Sequence, residues 1–244
     1  MRQRMRKPQC RFDPLLLVNA AHPLPKEPWP DLTAVDECYP DVLLERRVAG
    51  LLRACIQAVN GQGQIVPVSG WRSQAEQQSI WDDCLIKSGE AFTRKYVALP
   101  GCSEHQTGLA IDLGLAADEI DFIRPDFPED GVCGAFRRRA ADFGFVLRYP
   151  AGKEAVTGIA HEPWHFRYVG VPHARLMTEM GLTLEEYVAW LRECHSQAPL
   201  RRRLGLYEFS VQYHSGTTQP LLPAYGYSQR SRDNCGGWIV TTWR

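Results

Sequence analysis

Two short segments of the chain concentrate side chains capable of metal-assisted hydrolysis. The first is Ser103-Glu104-His105-Gln106-Thr107-Gly108-Leu109-Ala110-Ile111-Asp112, and the second is His161-Glu162-Pro163-Trp164-His165. A catalytic zinc takes about three protein ligands of the imidazole and carboxylate kind and keeps one position open. His105 and Asp112 can supply two ligands, from a loop and from the strand after it, and His165 a third from another strand. Gly108 lets the chain turn between the first two. Zinc lowers the pKa of a bound water from about 16 to near 7. A neighbouring carboxylate then takes the remaining proton and passes it to the leaving amine. Glu162, just ahead of the last ligand, fits that role. The spacing raises one difficulty: on a regular strand Glu162 and His165 point to opposite faces. Pro163 cannot donate to a sheet ladder and marks a local irregularity that would let both reach one site. Each segment alone also has a plainer reading, as a loop histidine beside a glycine and a hydrogen-bonded strand carboxylate.

Strands and turns must position these residues. Leu109–Leu113 alternates, with Leu109, Ile111 and Leu113 on one face and Ala110 and Asp112 on the other. Ile65–Val68, Phe145–Arg148 and Trp164–Val169 read as further strands, and Leu15–Val18 as a short edge strand leading into the proline-rich link His22–Pro30. Pro40-Asp41 is expected to open a helix, with Leu44, Val48, Leu51, Leu52, Cys55, Ile56 and Val59 at helical spacing and Gly61 and Gly63 after it. Ser73 with Glu76 forms a capping box for a helix to about Lys87, stopped by Gly89. A helix over about Gly134–Phe143 ends at Gly144. Thr183 with Glu186 caps another, whose apolar face is Leu184, Tyr187, Val188 and Leu191. Composition changes near Pro199. Arg201–Arg203 reads as a solvated hinge, and Tyr207–Tyr213 and Trp238–Trp243 as strands. Helices and strands mix without regular βαβ alternation and without an internal repeat, which predicts an α+β fold.

The chain has 244 residues, 44% of them hydrophobic, enough for one good-sized domain or a domain plus an appendage. Lys+Arg and Asp+Glu are 28 each, so no global field draws it to nucleic acid. The start, Met1 to Arg11, is basic. A secretory signal would follow it with about 7–15 apolar residues, and Leu15–Val18 is too short. No stretch approaches the roughly 20 apolar residues that span a bilayer. A cytoplasmic protein is expected, with a frayed tail at its start. The eight cysteines are irregularly spaced and include no CxxC pair, so reduced thiols are expected.

The pattern SxHxxGxAxD followed by ExWH resembles the zinc D-alanyl-D-alanine peptidases of the VanY/VanXY/VanX type, in the wider group of lysostaphin-like enzymes and the hedgehog signalling domain. Ser69-Gly70-Trp71-Arg72-Ser73 with Glu76-Gln77 is similar to another segment of that family. So are Ala98–His105, Glu162–Gly170, and the opening Leu17-Val18-Asn19 with His22-Pro23-Leu24. The likeness covers roughly residues 15–195. It implies a small antiparallel sheet flanked by helices, with Zn2+ in the cleft on His105, Asp112 and His165, and Glu162 as base. Arg72 would stabilise the negative oxygen that develops on the attacked carbonyl, and Gln77 and Ser103 would hydrogen-bond the substrate. The plainer readings are a structural ion pair for Arg72, a solvated helix residue for Gln77 and a turn hydroxyl for Ser103. Glu104 is expected behind the ligands or exposed, and Trp164 in the pocket or the core. His161, His173, His195 and His214 match no ligand position and are expected in surface or loop roles.

The implied activity is removal of C-terminal D-Ala from peptidoglycan precursors, or cleavage of D-Ala-D-Ala, which would eliminate the target of glycopeptide antibiotics or trim cell-wall peptides. The alternatives are an L-Ala-D-Glu-type endopeptidase and a non-catalytic zinc-bearing binding domain; a binding domain needs neither Glu162 nor Arg72. The sequence departs from the family after about residue 200. Residues 15–197 are therefore read as the peptidase domain and 198–244 as a strand-rich C-terminal extension. The aromatic residues of the extension should dock, either at the cleft edge or elsewhere on the catalytic domain.

Overall fold

The computed structural model describes residues 12–25, 30–224 and 226–244. The basic start and the middle of the proline-rich link lie outside the described residues. Leu15–Val18 is buried but irregular, not an edge strand. Its amides bond one by one, Leu15 N–H to Ser231 Oγ at 3.0 Å and Leu17 N–H to the Asp233 carbonyl at 3.1 Å.

A hairpin of β1 (Leu32–Asp36) and β2 (Tyr39–Glu45) occupies the place where a helix was expected to open at Pro40-Asp41. Pairing of Thr33 with Leu44 and of Ala34 with Leu43 commits these residues to a ladder. The helix α1 (Arg46–Ala58) begins where the ladder ends. The Glu45 side chain caps it by accepting from the Arg47 and Val48 N–H groups, and the helix buries Val48, Ala49, Leu52, Cys55 and Ile56.

The chain continues through β3 (Ile65–Ser69), α2 (Gln74–Ser88), α3 (Glu90–Tyr96), β4 (Ala110–Leu115), α4 (Gly131–Arg139), β5 (Phe145–Leu147), α5 (Glu154–Thr157), β6 (His165–Tyr168), α6 (Val171–Met180) and α7 (Leu184–Cys194). Both expected capping boxes are formed, Ser73 with Glu76 and Thr183 with Glu186. The helix expected over Gly134–Phe143 is α4 followed by a 3-10 turn, Ala140–Phe143. The four strands β3-β4-β6-β5 form one antiparallel sheet in that order. The apolar residues Ile111, Leu113 and Phe166 of this sheet pack with α1 and α4. Phe127, Phe136 and Phe166 meet edge to face, with centroids 5.0 to 5.9 Å apart. This is the α+β arrangement expected: a small antiparallel sheet with helices against it.

A second four-stranded antiparallel sheet, in the order β7-β8-β10-β9, is built from β7 (Leu200–Leu204), β8 (Tyr207–Ser215), β9 (Tyr227–Arg232) and β10 (Gly237–Trp243). Arg201–Arg203, expected as a hinge, is the middle of β7. Its backbone pairs with Ser210, Phe209 and Glu208 while the three side chains stay in water. Phe209, Val211, Tyr213 and Ile239 pack with Leu15, Leu17, Met177, Leu184, Tyr187 and Leu191 into one apolar cluster. The C-terminal sheet thus docks on α6, α7 and the segment holding Leu15 and Leu17.

His173 overturns its expected surface role. It is 4% exposed, because both ring nitrogens find buried partners: Nδ1 lies 2.8 Å from the Tyr187 hydroxyl and Nε2 2.8 Å from Thr241 Oγ1. It ties α6 and α7 to β10. Burial lowers its pKa to about 3, so the ring is neutral. His161, His195 and His214 are partly exposed, as expected.

Candidate active site

Three elements deliver the candidate ligands. Asp112 on β4 sits directly opposite His165 on β6 and opposite Ser69 on β3. Cross-strand partners of this kind bring their side chains within a few ångströms. His105 lies on a 3-10 turn, Glu104–Thr107, that ends at Gly108 with φ 70°. Any side chain at Gly108 would be strained there, and a Cβ would press on Pro30 and on the Glu45 amide at 3.1 and 3.2 Å. The sharp turn folds His105 back over Asp112.

The ligating atoms of His105, Asp112 and His165 all lie within 4.8 Å of one another, and all three residues are buried. His105 Nε2 is 3.2 Å from Asp112 Oδ2, and His165 Nδ1 is 3.0 Å from Asp112 Oδ1. The imidazole planes are nearly perpendicular, at 89°. Asp112 Oδ1 is buried and accepts no hydrogen bond. Two imidazole nitrogens and an under-satisfied carboxylate oxygen around one point form a donor set suited to a divalent transition metal. The other nitrogen of His105 supports this: Nδ1 donates to the Gly70 carbonyl at 2.7 Å, which leaves the Nε2 lone pair facing the centre. Gly70 lies within a family-like segment of the sequence, where motif reading gives it no role; in the fold its carbonyl holds the His105 ring. A Cβ there would collide with the Leu43 carbonyl oxygen, so only glycine brings this backbone close enough to hold His105.

Glu162 reaches the same centre by a turn. Its carbonyl accepts from the His165 N–H at 3.2 Å, so Glu162-Pro163-Trp164-His165 is a β-turn with proline at its second position, and β6 begins only at His165. The alternation rule never applied to this pair. The Arg137 guanidinium on the Pro163 carbonyl, at 3.1 Å, and the Leu113 N–H on the Trp164 carbonyl, also at 3.1 Å, fasten the turn. Glu162 Oε2 stands 3.5 Å from His165 Nδ1. Trp164 is buried among core residues and also borders the cleft.

Electrostatics separate the carboxylates. Burial raises Glu162 to about 8; Asp112 and Glu104 add to this, and His165 and Arg72 oppose it. Burial would raise Asp112 too, but His105 and His165 outweigh it and hold the carboxyl well below the usual range. His105 falls to about 4 through burial and the nearby Arg72. Burial also disfavours the charge on His165, yet Asp112 and Glu104 outweigh it and raise the group to about 9.

Arg72 packs beside the Asp112 carboxylate. It reaches Asp112 Oδ2 at 2.8 Å, Ser69 Oγ at 2.8 Å and Gln77 Oε1 at 3.3 Å. Gln77 is fully buried and donates to the Ala98 carbonyl at 2.8 Å, so it is no solvated helix residue. Ser103 is buried at the cleft wall, with Tyr96, Phe122 and Tyr149 nearby.

Behind the ligands lies a charge network that the motifs did not reveal. Glu104 is fully buried: Oε1 accepts from Arg148 Nε at 2.8 Å and lies 3.1 Å from an Arg167 nitrogen, while Oε2 lies 3.7 Å from His165 Nε2. Arg148 also grips Glu185 of α7 with two bonds of 2.9 and 2.6 Å. Arg167 donates to the Pro14 and Leu16 carbonyls. The available signal was an arginine within, or at the end of, an otherwise apolar strand, which demands a buried acid.

The family model for VanY, D-alanyl-D-alanine carboxypeptidase, matches residues 41–171. The bifunctional D-Ala-D-Ala dipeptidase and carboxypeptidase VanXYC of Enterococcus gallinarum is 43% identical over 182 residues, covering 73% of this chain and 95% of that protein. The vancomycin-resistance D,D-dipeptidase VanXYg, solved with a D-Ala-D-Ala phosphinate analogue, superposes with a TM-score of 0.92 at 46% identity, over 95% of this chain and 94% of that one. A VanY D,D-pentapeptidase mutant solved with Zn(II) gives a TM-score of 0.62 at 30% identity, over 72% and 98%. The VanXYg superposition, over 95% of this chain, extends into the C-terminal sheet, where the sequence was expected to depart from the family. This chain belongs to the VanY family of D-alanyl-D-alanine carboxypeptidases.

Proposed function

We propose that the chain is a zinc D,D-peptidase that removes C-terminal D-alanine from peptidoglycan precursor peptides, as a carboxypeptidase, a dipeptidase of D-Ala-D-Ala, or both. The observation that carries this reading is the meeting of His105, Asp112 and His165 with the turn-borne Glu162 in one cleft. Relatives named for D-Ala-D-Ala hydrolysis and for bound Zn(II) support it.

His105, Asp112 and His165 would hold the zinc. When bound, zinc supplies Lewis acidity, polarising the scissile carbonyl and acidifying the attacking water. Glu162 takes a proton from that water and delivers it to the leaving amine of D-alanine. The buried Glu162 carboxylate stands 3.5 Å from His165 Nδ1, at the wall of the cleft where both the water and the leaving amine would sit. Arg72 faces the oxygen on which charge develops. Its bonds to Ser69 and Asp112 fix the guanidinium in place, and part of its surface remains in the cleft. Gln77 spends one amide hydrogen on Ala98 and keeps a second for the substrate, and Ser103 offers its hydroxyl at the same wall. All these residues fall within the peptidase unit, 15–197, and none in the extension, 198–244.

The pool that suits the enzyme is the cytoplasmic one. The described cysteines are all free thiols, Cys55, Cys84 and Cys133 among them buried. Among the described residues no helix is long and apolar enough to cross a membrane. The deciding assay measures D-alanine release from D-Ala-D-Ala and from a muramyl pentapeptide with zinc present. Release from at least one is expected. Release from neither, together with cleavage of L-Ala-D-Glu bonds in intact peptidoglycan, would assign the endopeptidase reading instead.

A further inference from the structure

The C-terminal sheet contributes nothing to the lining of the cleft, yet one end of it carries an unusual surface. β7 reads Leu200-Arg201-Arg202-Arg203-Leu204, and all three arginine side chains are exposed. Arg203 meets Glu208 at 2.8 Å in an ion pair that is itself open to solvent. Arg244 joins them, its backbone paired with that of Glu208, and the four arginines line one groove in which Glu208 is the single acid.

Apolar side chains project beside this basic strand. Leu206, in the β7–β8 turn, is 96% exposed, and Tyr207 is 66% exposed. Tyr227 is 69% exposed at the same sheet end, since it pairs with Trp243, which pairs in turn with Phe209 of β8. The Tyr227 and Trp243 rings lie 5.3 Å apart. Leucine and tyrosine at a hairpin tip forgo the gain of leaving water, whereas a turn needs only small polar residues. Aliphatic and aromatic tips collared by arginine match the boundary between lipid headgroups and acyl chains, where aromatic rings settle and basic side chains meet anionic heads.

We propose that this end of the C-terminal sheet docks on an anionic lipid surface, with Leu206, Tyr207 and Tyr227 in the interfacial layer and Arg201, Arg202, Arg203 and Arg244 against the headgroups. The attraction is local, because the chain as a whole has a formal net charge of zero. A second copy of the chain is a poorer partner. A two-fold contact here would bring guanidinium groups onto guanidinium groups, with Glu208 already engaged by Arg203. Such docking is reversible and would hold a peptidase beside lipid-anchored substrates. The surface itself does not depend on the catalytic reading.

The test is co-sedimentation of the full chain with vesicles of phosphatidylcholine alone and of phosphatidylcholine mixed equally with phosphatidylglycerol. Binding to the mixed vesicles is expected, falling as salt rises. The triple variant R201Q/R202Q/R203Q should lower the partition coefficient roughly 100-fold, and L206S/Y207S roughly tenfold. Both variants should keep the melting temperature and D-alanine release of the parent. Equal sedimentation with both vesicle types, or binding that neither variant changes, would overturn the proposal. It would fall equally if no vesicle bound and the variants instead changed the molar mass in light scattering, which would make the face a contact between copies.

Discussion

The two four-stranded antiparallel sheets match in size and pairing and differ in what they bury. In β8 the buried residues alternate, Phe209, Val211 and Tyr213, with partly exposed ones between them. That sheet is amphipathic, and its inner face rests on α6 and α7. In β4 every residue from Ala110 to Gly114 is buried, and all four residues of β6 are. Yet Asp112, His165 and Arg167 stand in those strands. A sheet covered on both faces should be apolar throughout, so each charged group in it must be matched by another, and the matching charges are what make a site. The amphipathic sheet stabilises through area. The covered sheet spends stability on a fixed arrangement of polar atoms.

Removing the metal should separate the two sheets most sharply. The protein should carry about one zinc per chain. Chelation should abolish D-alanine release, added zinc should restore it, and the C-terminal sheet should stay folded by circular dichroism. Full activity in metal-free protein would break the assignment. Next in size is the proposed base. Glu162→Gln keeps the volume and removes the proton acceptor, so kcat should fall about 10²–10⁴-fold with zinc retained. Loss of zinc, measured by elemental analysis, would make Glu162 a ligand instead.

Glu104→Gln tests the charge matching behind the ligands. It leaves Arg148 and Arg167 facing a neutral amide and weakens the hold on His165. Zinc affinity should drop about 10–100-fold, and the metal-free protein should lose about 3–5 kcal/mol of stability. Unchanged stability would mean that the network is dispensable.

The smallest effect belongs to the join between the sheets. His173 stays neutral in the fold, with a pKa of about 3 against the ordinary 6.5. As pH falls below about 6.5 the unfolded chain takes up a proton that the folded chain refuses, so this residue's contribution turns against folding and keeps doing so until about pH 3. At pH 4.5 that amounts to roughly 3 kcal/mol. Denaturation of a His173→Gln variant should show a flatter loss of stability across this window than the parent, with D-alanine release at neutral pH unaltered. Parallel pH curves would show that the ring is accessible to protons in the fold.

Local chemistry made much of this legible. The two capping boxes, the alternation at Leu109–Leu113 and the glycine after His105 depend on neighbours a few residues away, and all appear where the sequence places them. The hairpin Leu32–Glu45 was missed because pairing with another strand overrode the helical spacing that Leu44 and Val48 suggest. β7 was missed because three arginines in a row look like a solvated loop, while ladder bonds need only backbone.

The sequence by itself determined which atoms can bind a metal: two histidines and an aspartate at motif spacing, with a glutamate near the last. It also determined the turn at Gly108, since only glycine takes that backbone conformation without strain. Tertiary structure decided the rest. It closed Glu162-Pro163-Trp164-His165 into a turn that puts the Glu162 carboxylate and the His165 ring on one side. It set Gly70 against Leu43 so that a carbonyl orients His105. It also brought Arg148 and Arg167 onto Glu104. Each of these depends on contacts between residues far apart in the chain, and the strength of a buried charge depends on what surrounds it, which no run of neighbouring residues records.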